Sequence, residues 1–400
     1  GTDGILISGG AAPVVNSVAD PGDGNCDLAE CTLREAIALA NLTLAPDVNF
    51  DSVLFAVPRT ITLTAGELVS TQDLNINGPT AAGLVISGNN LSRILYANGV
   101  DVSVSNLSFT GGNSVGSDRP GVGGAILHSG GNLTLTDVVL GSNGCTASGT
   151  GGAMAVTFGM LNATRVSVTG NTCDNVGGIY LQDGDLTLVD SSLTGNSGTE
   201  GEALRVTSTF APLQRAGLGS ATAAALTNVT ISDNSTTIGN AAIRSEPLSG
   251  AAVSLTLTNV TVSGNTTSSA GGHGAIWHRP IGGTHSTLLR NSIVAGNNVG
   301  GLANDIEGTA DASSSFNVIG TGGGLAPGAN GNFLGINAPL LAPLANYGGN
   351  TLTRALLPGS PAIDRGSNAL APAFDQRGIA RPQLGDRKST RLNSSHLVIS

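Results

Sequence analysis

Seven times along the chain a short β-branched stretch ends in a hydrophobic residue, two small or polar residues and an asparagine. The copies are Leu107–Asn113, Val138–Asn143, Val166–Asn171, Ser191–Asn196, Val229–Asn234, Val260–Asn265 and Ser292–Asn297. Successive asparagines stand 30, 28, 25, 38, 31 and 32 residues apart. A period that wobbles about one value marks a fixed structural unit carrying loop insertions. One turn of a parallel β-helix fits that unit.

A second marker recurs in step with the first. It reads GGAIL at Gly123–Leu127 and returns at Gly151–Ala155, Gly177–Leu181, Gly201–Arg205, Asn240–Arg244 and His273–Trp277. Between the markers lies a third extended piece with alternating apolar residues, as in Asn132–Asp137, Asp185–Asp190 and Ser254–Asn259. Three strands per repeat, separated by Gly, Asn, Ser and Asp turns, make a three-sided coil. Such coils bury their inward side chains only by stacking at the strand spacing of about 4.8 Å. The expected fold is all-β, a right-handed parallel β-helix of roughly ten coils, about 48 Å tall. Residues 1–48 form a cap, 49–300 the main solenoid and 301–386 a loop-rich terminal region.

Composition supports this and excludes other classes. Apolar residues make up 40%, enough for a core, while 59 glycines and a charged fraction of 11% argue against a helical or doubly wound fold. A formal net charge of −10 argues against nucleic acid as a partner, because phosphate binding needs a basic surface. No apolar run approaches the roughly 18 residues of a membrane helix, and Ile5–Ile7 is too short for a signal-peptide core. Residues 387–400, RKSTRLNSSHLVIS, carry the chain's only lysine, Lys388, and break its texture. They resemble translated sequencing-adapter read-through; a disordered basic tail is the alternative.

The segment Val14–Asn41 holds the one convincing helix signal. Thr32 followed by Glu35 is a capping-box pattern, and Leu33, Ile37 and Ala40 or Asn41 share a face. A helix there would cover the open end of the first coil. Cys31-Thr32-Leu33-Arg34-Glu35-Ala36 resembles the signature of the bacterial CSLREA domain, and Asn49–Pro79 resembles the coils that follow that cap. Phe316–Gly320, Leu341–Gly366 and Asp375–Pro382 resemble the choice-of-anchor Q region. The central repeats are similar to those of chlamydial polymorphic outer-membrane proteins. These resemblances imply a secreted or surface-displayed bacterial protein with a membrane link only through a C-terminal sorting signal beyond about residue 386. They carry over no catalytic residue.

Cys26 and Cys31 bracket a short loop, and Cys145 and Cys173 each sit two residues after a repeat Asn on consecutive coils. Both pairs are expected as disulfides in an oxidising compartment, with reduced buried thiols as the alternative. The residue six before each of the last six repeat Asn forms a stack, Asp137, Arg165, Asp190, Asn228, Asn259 and Asn291, read as a structural ladder of charge pairs and amides. For metal, Asp23, Asn25 and Asp27 copy the first oxygen-ligand positions of a calcium loop, but Leu28 and Arg34 at the sixth and twelfth places exclude an EF-hand. A looser Ca²⁺ site or a plain polar turn remain. No other cofactor is indicated.

Alternation within the GGAI marker sets Ile126, Met154, Tyr180, Leu204, Ile243 and Ile276 inward, and Leu127, Ala155, Leu181, Arg205, Arg244 and Trp277 outward. Arg205, Arg244 and Trp277 on successive coils are a candidate platform for an acidic sugar; a surface row covering neighbouring loops is the bland alternative. For catalysis, Gly272-His273-Gly274 matches one fragment of the polygalacturonase pattern, but Asp183, Asp185, Glu200 and Glu202 lack any partner motif. His128, His273, His278 and His285 read as surface or ladder residues. The expected function is therefore a non-catalytic extracellular scaffold or adhesin, with a polysaccharide or cell-surface glycan as partner. The competing function is a secreted polysaccharide lyase or hydrolase, which acids converging with an Arg in one groove would favour.

Overall fold

The computed structural model describes residues 12–381 apart from 44, 81–82, 118, 146–147, 210–221, 241, 249 and 280. The tail 387–400 lies outside them. Three columns of parallel strands stack in register, and together they make the right-handed parallel β-helix expected from the repeats. One column carries the Thr-Leu-Thr pieces and climbs from Asp47–Phe50 through Leu74–Asn77 to Thr284–Arg290. A second carries the stretches before the repeat Asn. It starts at Arg59–Thr62 and ends at Phe333–Leu334, so the coils continue past residue 300, where the repeat Asn pattern had placed their end. The third carries the Gly-Gly-Ala markers from Leu68–Ser70 to Gly322–Gly323. A fourth run of two-residue strands, unforeseen in the sequence, follows the Asn turn at Ser197–Gly198, Ser235–Thr236, Thr266–Thr267 and Asn298–Val299.

Inside, like residues stack on like. Ile86, Phe109, Leu140, Val168, Leu193, Ile231 and Val262 sit above one another with at most 1% of their surface exposed. Each coil thus completes the burial of its neighbour, which is why a single repeat has no stable fold of its own. The inward row of the marker strands needs one correction. Ile179, not Tyr180, stacks between Met154 and Leu204, and Tyr180 lies in the outward row beside Arg205. Thr150 pairs with Val176, but Met154 pairs with Ile179, so this coil is one residue shorter and Gly178 replaces the usual Ala.

The repeat asparagines form a buried ladder. Asn143, Asn171, Asn196, Asn234, Asn265 and Asn297 donate Nδ2 to the Oδ1 of the next coil's residue at 2.8–3.0 Å, ending on Asp305. Each Nδ2 also reaches a backbone carbonyl of the coil before, such as Leu140 for Asn171 and Val168 for Asn196. Both amide hydrogens are satisfied, which lets a polar group sit at 0–2% exposure. Asn113 stays out of the ladder: its copy holds one extra glycine, Gly112 occupies the rung, and the Asn113 side chain instead accepts from Val115 N.

The stack six residues earlier has a different cause from the one expected. Asp137, Arg165, Asp190, Asn228, Asn259 and Asn291 all have φ between +50° and +56°. They form the left-handed corner between two strands, where Asn and Asp are tolerated best. Arg165 does bind Asp137 through two hydrogen bonds of 2.7 and 2.6 Å. The Asn run makes no continuous amide ladder, because Asn291 turns to Ser367 and Asn259 keeps both amide atoms buried without a partner.

At the first coil, the helix Leu33–Thr43 buries Leu33, Ala36, Ile37 and Ala40. The capping box is reciprocal: Thr32 N donates to Glu35 Oε2 at 2.8 Å and Glu35 N to Thr32 Oγ1 at 3.3 Å. Arg34 clamps the cap to the coil through Asp20, Gly66 O and Glu67 O. Removing residues 14–48 is expected to turn a monomer into aggregates by exposing the coil end, and light scattering after size exclusion checks it; a monomeric truncation with an unchanged melting point contradicts it. Both disulfides are present, Cys26–Cys31 and Cys145–Cys173, with Cα separations of 4.1 and 5.1 Å. Peptide mapping without reductant should recover Cys145 linked to Cys173; two free thiols in exported protein would count against it.

From residue 335 the chain leaves the stack and runs back along the column that precedes the repeat Asn. Gln376 is buried there, donating to Ser191 O at 3.0 Å and accepting from Thr230 Oγ1 at 2.9 Å. Arg354 Nε reaches Ser232 Oγ at 2.6 Å, and Asn350 reaches Asp137. Leu356 and Ala362 pack on Ile293 and Val318 in a second small core. This strap sheathes one of the three broad faces.

Candidate functional site

The Gly-Gly-Ala face carries the densest set of charges. Strand register stacks Tyr180, Arg205, Arg244, Trp277 and Glu307 on successive coils. Arg205 Nη2 binds Glu200 Oε2 at 2.9 Å and Glu202 Oε2 at 2.8 Å, and Arg244 Nη1 binds the same two carboxylates at 2.6 and 3.0 Å. Arg244 Nη2 continues to Glu246 at 3.0 Å, which Arg279 caps at 2.5 Å. Glu202 is fully buried, and burial pushes its carboxyl up against the pull of Arg205 and Arg244. At Glu200 burial works the same way, but Arg244 and Arg205 outweigh it and hold the carboxyl below the ordinary range.

Trp277 lies under this network. The His273 ring stacks on it with centroids 3.5 Å apart and planes 7° apart, and the Arg244 guanidinium stands 4.9 Å from its centroid. His273 is in turn held by Glu307 at 3.0 Å. The sequence therefore located the row but misjudged its exposure. Arg205, Arg244 and Trp277 are 8%, 1% and 9% exposed, so neither the guanidinium donors nor the indole face is open to a sugar. Their cover comes from Glu200, Glu202 and His273 on the turns between strands, which alternation along a strand does not reveal. Asp183 and Asp185, grouped with these acids by sequence proximity, bind Thr209 N and Ala223 N at the strand's other end.

Two further sets of residues differ from the sequence reading. Asp23 lies close to Glu30 and Glu35, with ligand atoms all within 4.8 Å, and its Oδ1 accepts from Asn25 N at 2.9 Å. Asp27 Oδ1 closes its own turn by accepting from Ala29 N and Glu30 N, and Glu35 is committed to Thr32 and Gly24. Two of the four described histidines are interior, His128 at 0% and His278 at 8% exposed, while His273 and His285 are half-buried. Arg93, which no sequence pattern flagged, is fully buried, binding Glu67 at 2.5 Å and the carbonyls of Arg119, Val122 and Gly123.

His278 donates to or accepts from Thr287 Oγ1 at 2.7 Å, and its ring stacks on His285 with centroids 5.3 Å apart. Burial, then the neighbouring His285, pushes the His278 pKa down to about 4. The unfolded chain takes up that proton near pH 6.5. The neutral ring's contribution is thus complete above about pH 6.5 and is lost as pH falls toward 4, for about 3 kcal/mol. Urea titrations across that range check it. His278→Gln should flatten the pH slope, and an unchanged slope would contradict the assignment.

No family model matches the chain, and no curated protein matches it. Among solved structures it is similar to jun a 1, the major allergen from cedar pollen, at 14% identity and a TM-score of 0.39, over 74% of this chain and 79% of that one. The β-helix itself rests on the strand register described above.

Proposed function

We propose that the chain is an exported, non-catalytic surface scaffold of the kind its terminal motifs resemble, a CSLREA cap followed by coils and a choice-of-anchor Q region. The carrying observation is that the charge cluster of the Gly-Gly-Ala face, Glu200, Glu202, Glu246, Arg205 and Arg244, is committed to internal pairing. A general base must reach substrate and a metal-binding acid its ion, whereas the fully buried Glu202 side chain is turned to Arg205 and Arg244. Two disulfides suit an oxidising compartment, and no helix among the described residues is long and apolar enough to cross a membrane.

Polysaccharide cleavage is the second reading, because three acids and three arginines, Arg205, Arg244 and Arg279, do converge on one face. One assay separates the two. Purified protein incubated with polygalacturonate, alginate and xylan, with and without Ca²⁺, should release neither unsaturated products nor reducing ends. Turnover that disappears in Glu200→Gln would overturn the scaffold reading.

A further inference from the structure

We propose that the Thr-Leu-Thr face binds ice, a function beyond the scaffold role. Of the three broad faces, one is sheathed by the strap and one carries the charge network. The third is bare. Its outward residues fall in two columns. The first runs from Ser103 through Thr134 and Thr187 to Thr256, and the second from Ser105 through Thr136 and Thr227 to Thr258. These six ranks pair without a register shift, so the columns hold their side chains on a two-dimensional grid. Its repeats are about 4.8 Å up the stack and about 6.6 Å along each strand, over a height of about 24 Å.

The chemistry of the grid narrows the ligand. Within the two columns the residues that are not Ser or Thr are Asn162, Val189 and Ala225, so the grid carries neither charge nor aromatic ring. Charge begins at its borders, at Asp101 and Asp185 on one side, at the Asp137–Arg165 pair on the other and at Arg290 directly above Thr258. A neutral surface does not attract nucleic acid, acidic glycans or anionic lipid. Without a ring to stack on, it lacks the usual apolar platform for a sugar. The grid hydroxyls make no hydrogen bond to protein among the described residues, unlike Asn75, which binds Asp47 just below them. They must be satisfied by water. Hydroxyls and threonine methyls alternating at fixed spacing order that water into a layer whose two repeats lie close to those of oxygen atoms on the ice prism face. The charge-free area then merges with a growing crystal at little desolvation cost.

The test is crystal growth in a nanolitre osmometer with the full chain. Faceted crystals and a gap between melting and freezing points are expected. Thr164→Tyr with Thr227→Tyr should shrink that gap at least tenfold at unchanged circular dichroism and melting temperature. Thr164→Lys with Thr227→Lys, which keeps solvated side chains, serves if the tyrosines disturb folding. Thr237→Tyr, just past the short strand Ser235–Thr236 of the fourth sheet, should leave the gap intact. Round crystals from folded wild type, or an equal gap in the folded double variants, would overturn the proposal. So would retention on microcrystalline cellulose that the substitutions abolish without any effect on ice.

Discussion

Substituting Arg244 with alanine is expected to lower stability by about 3–5 kcal/mol, the cost of breaking a buried ion pair from one side. The change leaves Glu202, fully buried, to Arg205 alone and takes one of two partners from Glu246. It also removes the nearer of the two cations over the Trp277 ring, leaving Arg279 at 5.8 Å. Replacing both members, as in Arg244→Met with Glu202→Leu, should recover at least half the loss, because an apolar pair of similar volume carries no stranded charge. Chemical denaturation followed by Trp277 emission measures both. A single substitution costing under about 1 kcal/mol would show that the pairs are solvated and the network is not structural.

Asn196→Leu should cost about 2–4 kcal/mol by stranding buried hydrogen-bonding groups on both sides. Asn171 loses the acceptor for its side-chain and backbone N–H, while Val168 O and Asn234 Oδ1 lose a donor. In a stacked architecture the damage is expected to stay local. Amide exchange should quicken between about residues 166 and 236 and stay slow in the coils at 59–110. Uniform quickening along the whole shaft would refute that localisation.

The coil stack was legible because its cause is periodic. A buried Asn that must meet its copy on the next coil and an inward aliphatic row both leave a mark every turn. What failed to show was the local length of a coil. One glycine more moved Asn113 off the ladder, and one residue fewer after Val176 exchanged the roles of Ile179 and Tyr180. The charge site was half legible, since the outward row of Arg205, Arg244 and Trp277 follows from strand alternation. Its partners come from turns, where no period applies, so the open platform expected there is a closed lattice. The strap had motif resemblances but no periodicity, and its partners lie up to 213 residues away, as with Asn350 and Asp137.

That strap alters how the molecule holds together. A stack of coils joined only to nearest neighbours can fray from its end one turn at a time. Here the segment 350–376 bonds to positions 137, 190, 191, 230 and 232, so unwinding the last coils also means prising a lengthwise batten off the earlier ones. The strap therefore inspects the coils it crosses: it can dock only where several finished turns already stand in line, and a shaft with one turn out of place offers it no continuous seat.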